Sequence, residues 1–260
     1  MKGTKQHEYA RQLVAGARSI AVLTGAGVSA ESGIPTFRGD GGLWRGRRAL
    51  DLATPEAFRR DPAEVWGFYH ARLVGLNGVS PNEGHRALAA LEATRDRFWL
   101  LTQNVDGLHR QAGSVNVIEL HGTIRTARCS RCARSLPIQE LIEEWEPGTV
   151  PTCSVCSAPL RPNVVWFGET LPEQALRQAE EAVTGCDLML VAGTSGVVQP
   201  AASFAFSARS RGARVIEVNP EETPISAIAD VALRGPSARE LPELLGEAER
   251  AWLNPSIADG

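Results

Sequence analysis

Short apolar runs that stop at glycine alternate with stretches of helical period along this chain. Residues 5–17 space their apolar side chains helically and predict an amphipathic helix. Ser19 to Thr24 is an apolar run that ends in Gly-Ala-Gly, the mark of a buried strand entering a glycine turn. The stretch 34–54, rich in Gly, Arg and Pro, predicts a long connection, and connections of that length are often functional. Helices are expected near 55–60, 62–75 and 83–95, then a strand over 97–102, a helix near 106–112 and a strand over 115–120. Beyond residue 165 the pattern predicts helix 172–184, strand 187–192, helix 200–211, strand 213–218, a short strand near 230–233 and a last helix from 237.

Strands alternating with helices argue for an α/β fold with a doubly wound parallel sheet. In such sheets ligands bind outside the carboxyl ends of the strands. Five polar motifs fall at those ends: Gly25–Gly27, Gln103–Asp106, His121, Gly193–Ser195 and Asn219–Glu221. Their agreement predicts one site. Leu188 to Ala208 carries no charge, long enough to raise the question of a membrane span. Gly193, Thr194, Ser195, Gly196, Gln199 and Pro200 interrupt it, so it reads as a strand, a turn and a helix start, and no membrane partner is expected.

Two CxxC pairs, Cys129/Cys132 and Cys153/Cys156, stand twenty residues apart. That spacing can close four thiolates around one structural Zn2+, with no open position for a substrate. The fifth cysteine, Cys186, enters an apolar strand and reads as a small buried hydrophobe. Paired CxxC motifs with one further cysteine suit a reducing compartment better than a disulfide framework. With a start that lacks the apolar core of a signal peptide, they make a cytoplasmic location the expectation. The chain of 260 residues is long enough for one domain of about 200 residues and a small insert. A net charge of −3 gives no general attraction to nucleic acid or anionic membrane. Arg125, Arg128, Arg131 and Arg134 around the first knuckle lend a nucleic-acid-reading zinc ribbon some appeal, but aromatics are not interleaved with them. The basic residues are nearly all arginine, with lysine only at Lys2 and Lys5, a bias of composition and not of function.

Gly25-Ala26-Gly27 after a strand, opening a helix, could let a backbone approach a pyrophosphate. The fingerprint is incomplete: Ala30 stands at its third glycine, and no acidic residue follows about twenty positions on. A tight turn accounts for a lone GxG equally well.

The longer string Gly25-Ala-Gly-Val-Ser-Ala-Glu-Ser-Gly-Ile-Pro-Thr-Phe-Arg-Gly39 resembles the signature of the sirtuins, the NAD+-dependent protein deacylases. Thr102-Gln-Asn-Val-Asp106, His121-Gly122, the paired CxxC, Val164-Val-Trp-Phe-Gly-Glu169, Gly193-Thr-Ser195 and Asn219-Pro-Glu221 follow in the family's order. The resemblance spans roughly residues 15–245. It implies a large Rossmann-like domain for NAD+ (residues 1–34, 97–122 and 166–260). It also implies a cofactor loop with a helical insert (35–96), a zinc module (123–165) and acylated-lysine proteins as partners. In the family reaction the acyl oxygen attacks C1′ of the nicotinamide ribose, nicotinamide leaves, and a histidine acts as base on a ribose hydroxyl. The acyl group then passes to the ribose.

By resemblance His121 is that base; an ordinary histidine titrates near neutrality, which suits the task. His7, His70, His85 and His109 match no such role. Gln103, Asn104, Val105 and Asp106 match the nicotinamide and its ribose, although Asn104 or Asp106 could instead cap helix 106–112. Gly25, Ala26, Gly27, Ser29, Ala30, Thr36, Phe37, Arg38 and Trp44 match the cofactor loop. There Arg38 could meet a phosphate and Phe37 exclude water. Gly193, Thr194, Ser195, Asn219, Pro220, Glu221 and Ser237 match the adenosine side. Gly196 and Pro220 depart from the usual pattern. Val164, Phe167, Gly168 and Glu169 match the strand that pairs with substrate backbone.

Tyr69 and Arg72 are three apart on a predicted helix and share a face, the spacing of many a core tyrosine beside a solvated arginine. The segment resembles the sirtuins that remove malonyl, succinyl and glutaryl groups, where Tyr-x-x-Arg holds the distal carboxylate. Ala53 matches a position that is small there. The resemblance favours dicarboxylyl-lysine removal, with plain deacetylation or mono-ADP-ribosyl transfer as alternatives. A monomer is expected.

Overall fold

The computed structural model describes residues 2–36, 43–143 and 145–253. Helix α1 (Lys2–Gly16) leads into β1 (Ile20–Thr24). A hairpin of β2 (Leu43–Trp44) and β3 (Arg47–Arg48) follows. Next come α2 (Ala49–Leu52), α3 (Pro55–Arg60), α4 (Pro62–Gly75) and α5 (Glu83–Ala93). Pro55 and Pro62 open their helices behind Thr54 and Asp61, whose side chains accept from the backbone N–H three residues on. Strand β4 (Phe98–Thr102), α6 (Leu108–Gln111) and β5 (Val117–Glu119) complete the first half.

The module is β6 (Gly122–Cys129), β7 (Ser135–Pro137), α7 (Gln139–Ile142) and β8 (Leu160–Val164). After it come α8 (Glu173–Gly185), β9 (Leu188–Ala192), α9 (Ser203–Ser210), β10 (Arg214–Val218) and β11 (Val231–Leu233). The expected last helix is two pieces, α10 (Ser237–Glu240) and α11 (Glu247–Leu253), with a 3-10 turn at Pro242–Leu244 between them. Proline has no N–H to continue the ladder.

Six strands form one sheet, all parallel, in the order β11-β10-β9-β1-β4-β5. Every residue of β1 and β9 is buried, which is why their sequences are continuous apolar runs rather than alternations. Ile20 and Val22 face a core with α1, α5 and the turn at 241–245; Ala21 and Leu23 face one with α8 and α9. The uncharged stretch from Leu188 is therefore strand, glycine turn and helix. Among the described residues no helix is long and apolar enough to cross a membrane.

The second structural unit is the antiparallel sheet β7-β6-β8. Its Ile124, Ala127, Leu160 and Val164 share a third core with Leu52, Phe58, Val65, Trp66 and Phe68 of α2–α4. Residues 35–96 thus divide between cores: α2–α4 pack on the module, while Ala87, Leu88 and Leu91 of α5 pack on the large sheet.

Candidate active site

Strands β1 and β4 end in register at Thr24 and Thr102, and the two hydroxyls hydrogen-bond at 2.9 Å. β1 sits where connections turn in opposite directions, toward β4 on one side and β9 on the other, which is the switch point of a doubly wound sheet. The loops after β1 and β9 meet there: Gly27 N–H donates to Gly193 O at 2.8 Å. A Cβ on Gly25 would lie 2.8 Å from Thr194 Cβ, and one on Gly27 would lie 2.8 Å from Gly193 O. These glycines are therefore small because another stretch of protein backbone lies on them, a reason distinct from the expected approach of a pyrophosphate. The helix expected to open at Ala26 is a 3-10 segment, Ala26–Ser32, ending at Gly33 with φ +88°. Ala26 and Ala30 are half-buried, and Ser29 is fully buried.

Gln103, Asn104 and Asp106 turn inward together. Gln103 Nε2 donates to Thr194 Oγ1 at 2.9 Å; Asn104 Nδ2 donates to Gly25 O and to Ser29 Oγ, both at 3.1 Å. Ser29 Oγ donates to Asp106 Oδ2 at 2.8 Å, and Asp106 Oδ1 accepts Leu108 N–H at 2.9 Å. That oxygen takes the first N–H of α6, although the cap position itself is Gly107. Val105 is tied to the module, its carbonyl accepting from Ile124 N–H, and Arg125 Nε donates to Asp106 O at 3.1 Å.

His121 follows β5 at the same sheet edge. Its Nδ1 lies 3.0 Å from Gln103 O. A carbonyl only accepts, so Nδ1 carries the proton and Nε2 presents a lone pair. Burial holds the imidazole below its ordinary pKa, partly offset by that same hydrogen bond. The ring is a neutral base of fixed tautomer at neutral pH.

Toward β10, Asn219 is buried; its Nδ2 donates to Thr194 O at 2.7 Å and its Oδ1 accepts Glu221 N–H. Pro220 and Glu221 are exposed, Ser195 is half-buried, and Gly193 adopts φ +59°. Ser237 is buried, with its hydroxyl left without a partner. Thr36 is half-buried at the edge of the described residues; Phe37 and Arg38 lie outside them. Trp44 packs edge-on against Phe68, ring centroids 5.8 Å apart, on the α4 side.

On that side, α4 carries Tyr69 and Arg72. Trp166 Nε1 donates to Tyr69 Oη at 2.9 Å, and burial raises the Tyr69 hydroxyl to about 12. Arg72 is half-buried with its guanidinium over the Phe68 ring, 5.6 Å from the centroid. Burial lowers its pKa, while Tyr69 and the Asp106 carboxylate act in the opposite sense. Ala53 O accepts Phe167 N–H at 2.9 Å, which places the small Ala53 beside the loop after β8. Val164 is buried on β8 opposite Gly122; Phe167 and Gly168 are exposed.

Glu169 is tied within its own loop. Arg161 grips its carboxylate at 2.6 and 2.8 Å, and Trp166 N–H donates to it at 2.9 Å. Its side chain shapes the loop that follows β8. The strand expected over 164–169 ends at Val164, because Val165 N–H already donates to His121 O and Phe167 N–H to Ala53 O.

In the module the four cysteine Sγ atoms lie within 4.8 Å of one another, with Cys129–Cys156 at 3.4 Å and Cys132–Cys153 at 3.7 Å. Tetrahedral Zn–S bonds of about 2.3 Å set sulfurs about 3.8 Å apart. The backbone N–H groups of Cys132 and Arg131 point at Cys129 Sγ and pull its thiol down to about 6. The donor set fits one zinc ion with all four positions filled by protein.

The Sir2 family model matches residues 25–200, more than half of the chain. This chain belongs to the Sir2 family. It is 49% identical over 238 residues to NAD-dependent protein deacylase 2 of Pyrobaculum aerophilum, with 92% of this chain and 94% of the relative covered. NAD-dependent protein deacylase 1 of Pseudomonas aeruginosa is 50% identical over 242 residues, covering 91% and 97%. Among solved structures, a Sir2 homolog in complex with NAD aligns with a TM-score of 0.88 at 45% identity, covering 94% of each chain.

Within this Sir2 fold, His85 and His109 are side chains that sequence reasoning passed over. Both are buried beneath the site, their rings 4.8 Å apart. His109 Nε2 meets Thr24 Oγ1 at 2.9 Å, and His85 Nε2 meets Ser29 Oγ at 3.3 Å. Asn82, the cap of α5, stood three residues before His85 as the available signal; histidine is an unusual partner in that motif.

Proposed function

We propose that this chain is an NAD+-dependent protein-lysine deacylase whose acyl pocket prefers tails ending in a carboxylate, succinyl or malonyl, over acetyl. Family membership and two relatives of about half identity named as protein deacylases support the reaction class. The homolog that binds NAD supports the co-substrate. Bound NAD+ would supply the leaving nicotinamide and the ribose that takes the acyl group. The donor and acceptor set at the sheet's carboxyl edge fits such a ligand, including the buried, partnerless Ser237 hydroxyl on the expected adenosine side.

In this reading His121 Nε2 takes a proton from a ribose hydroxyl, held ready by the Gln103 carbonyl. Gln103, Asn104 and Asp106 order the nicotinamide half; the Gly193–Ser195 and Asn219–Glu221 loops hold the adenosine half. The loop after β8 receives the substrate backbone, and Zn2+ on the four cysteines keeps β6 and β8 in register.

The observation that carries the acyl preference is the Tyr69–Arg72 pair on one face of α4. An indole N–H only donates, so Tyr69 Oη accepts from Trp166 and keeps its own hydrogen to give. Arg72 lies half-buried over the Phe68 ring, and its planar fork of donors matches the two oxygens of a carboxylate. A succinyl or malonyl tail would meet both groups; an acetyl tail would reach neither. The test is to incubate the protein with NAD+ and matched acetyl-, malonyl- and succinyl-lysine peptides, following peptide mass and released nicotinamide. Expected is stoichiometric release with kcat/KM highest for a dicarboxylyl peptide. Acetyl preferred by tenfold would remove the acyl preference; no NAD+ consumption on any peptide would remove the function.

A further inference from the structure

We propose that His85 is a positioning residue for the nicotinamide pocket, acting through Ser29 on the Asp106 carboxylate. This rests on the reading of Asp106 as a nicotinamide contact. The argument is a chain of hydrogen-bond directions. Asn82 N–H lies 3.3 Å from His85 Nδ1, and a backbone N–H only donates, so Nδ1 is the acceptor. Burial depresses the ring to about 4, so it is neutral, and its one proton is on Nε2. That N–H faces Ser29 Oγ at 3.3 Å. Asn104 Nδ2 donates to the same oxygen at 3.1 Å. With two donors on its lone pairs, the Ser29 hydroxyl has one direction left for its proton, toward Asp106 Oδ2 at 2.8 Å.

Asp106 is thereby held on both oxygens, by Ser29 on one and by Leu108 N–H on the other. The carboxylate cannot rotate without breaking one of them. The wall behind His85 is closed: the residue is fully buried, and His109 lies against its ring. The imidazole therefore does two things at once. Nδ1 caps α5, and Nε2 sets the direction of the Ser29 rotor. The two roles can be separated by substitution. In His85→Asn the amide oxygen takes the place of Nδ1 and keeps the cap, but the shorter chain does not reach Ser29. In His85→Gln the amide nitrogen takes the place of Nε2 and keeps the donor to Ser29 at the expense of the cap.

Steady-state kinetics with NAD+ and an acyl-lysine peptide, and inhibition by free nicotinamide, read the outcome. Expected for His85→Asn is a rise of about tenfold in KM for NAD+ and in the nicotinamide inhibition constant, the size of one lost hydrogen bond. His85→Gln recovers most of it, and in a Ser29→Ala background the two His85 variants become equal. A residue that served only to cap α5 gives the reverse order, Asn near the parent and Gln impaired, and that order overturns the proposal. Nitrogen-15 NMR of the parent's imidazoles needs no variant to fold: the Nε2–H tautomer at His85 is expected, and the Nδ1–H tautomer overturns the link. An Asp106→Asn protein with unaltered nicotinamide inhibition removes the pocket assignment and this inference with it. A wrong order of Gln and Asn removes the inference alone.

Discussion

The carboxyl edge of the parallel sheet and the module around the four cysteines keep their shapes by different means. At the sheet edge, loops rest on strands buried on both faces, and each inward polar group is tied to a neighbouring loop: Gln103 to Thr194, Asn104 to Gly25, Asn219 to Thr194. Apolar burial supplies the stability, and hydrogen bonds supply the geometry. Among the described residues the module has three strands and one turn of helix. Its apolar residues are shared with α2–α4, and its far end gathers the four cysteines. The lesson lies in β6, which starts next to His121 and ends at Cys129. Eight residues of strand, about 25 Å, connect a site built by burial to a closure built by metal.

The strongest way to separate the two regions is to remove the metal. Structural zinc contributes about 10–16 kcal/mol in small sites. A chelator is expected to erase hydrogen-exchange protection over β6–β8 and abolish turnover, while β1, β4 and β9 stay protected. Protection intact across β6–β8 would show the module closing without its ion.

His121→Ala tests the sheet edge alone. Turnover is expected to fall by about 10²–10⁴ with NAD+ affinity by calorimetry retained. Turnover near that of the parent would remove His121 as the base.

Acid should also strike the sheet edge first. His85 and His109 titrate at about 4 and about 3 when folded, against an ordinary value of 6.5. Above pH 6.5 neither form of the protein binds the extra protons. Below it, the unfolded chain does and the folded one does not. Stability is therefore full above pH 6.5 and declines as pH falls toward 4, by about 2 kcal/mol for each histidine at pH 5. Urea unfolding at pH 7 and pH 5 measures the difference. A flat profile would mean that water reaches the pair.

The gentlest test sits on the wall contributed by the module's own core. Arg72→Met is expected to lower kcat/KM for desuccinylation by about 30-fold, roughly 2 kcal/mol for a charged hydrogen bond, and deacetylation by little. Equal losses would assign Arg72 a role in the fold rather than in the acyl pocket.

Most of the architecture was legible because parallel strands buried on both faces write themselves as apolar runs, and glycine or a polar motif marks where each one ends. The zinc site was legible because ligand spacing is local. The tie of Glu169 was not legible because its partner, Arg161, is an ordinary arginine in sequence and becomes a clamp only when β8 and its loop fold back. The packing of the first loop's glycines was not legible because the loop that covers them, at Gly193, arrives from the far side of the chain. His85 was passed over because its worth depends on which nitrogen meets Asn82 and which meets Ser29.

The order of apolar runs and helical stretches, the paired cysteines and the polar residues closing each strand were settled by sequence alone, since each depends on neighbours within a few positions. Strand order, the sharing of α2–α4 with the module, the tautomer of His121 and the tie from His85 to Asp106 were decided only in three dimensions. Each depends on which distant backbone group, donor or acceptor, lies within about 3 Å, and that is a property of packing that no local pattern carries.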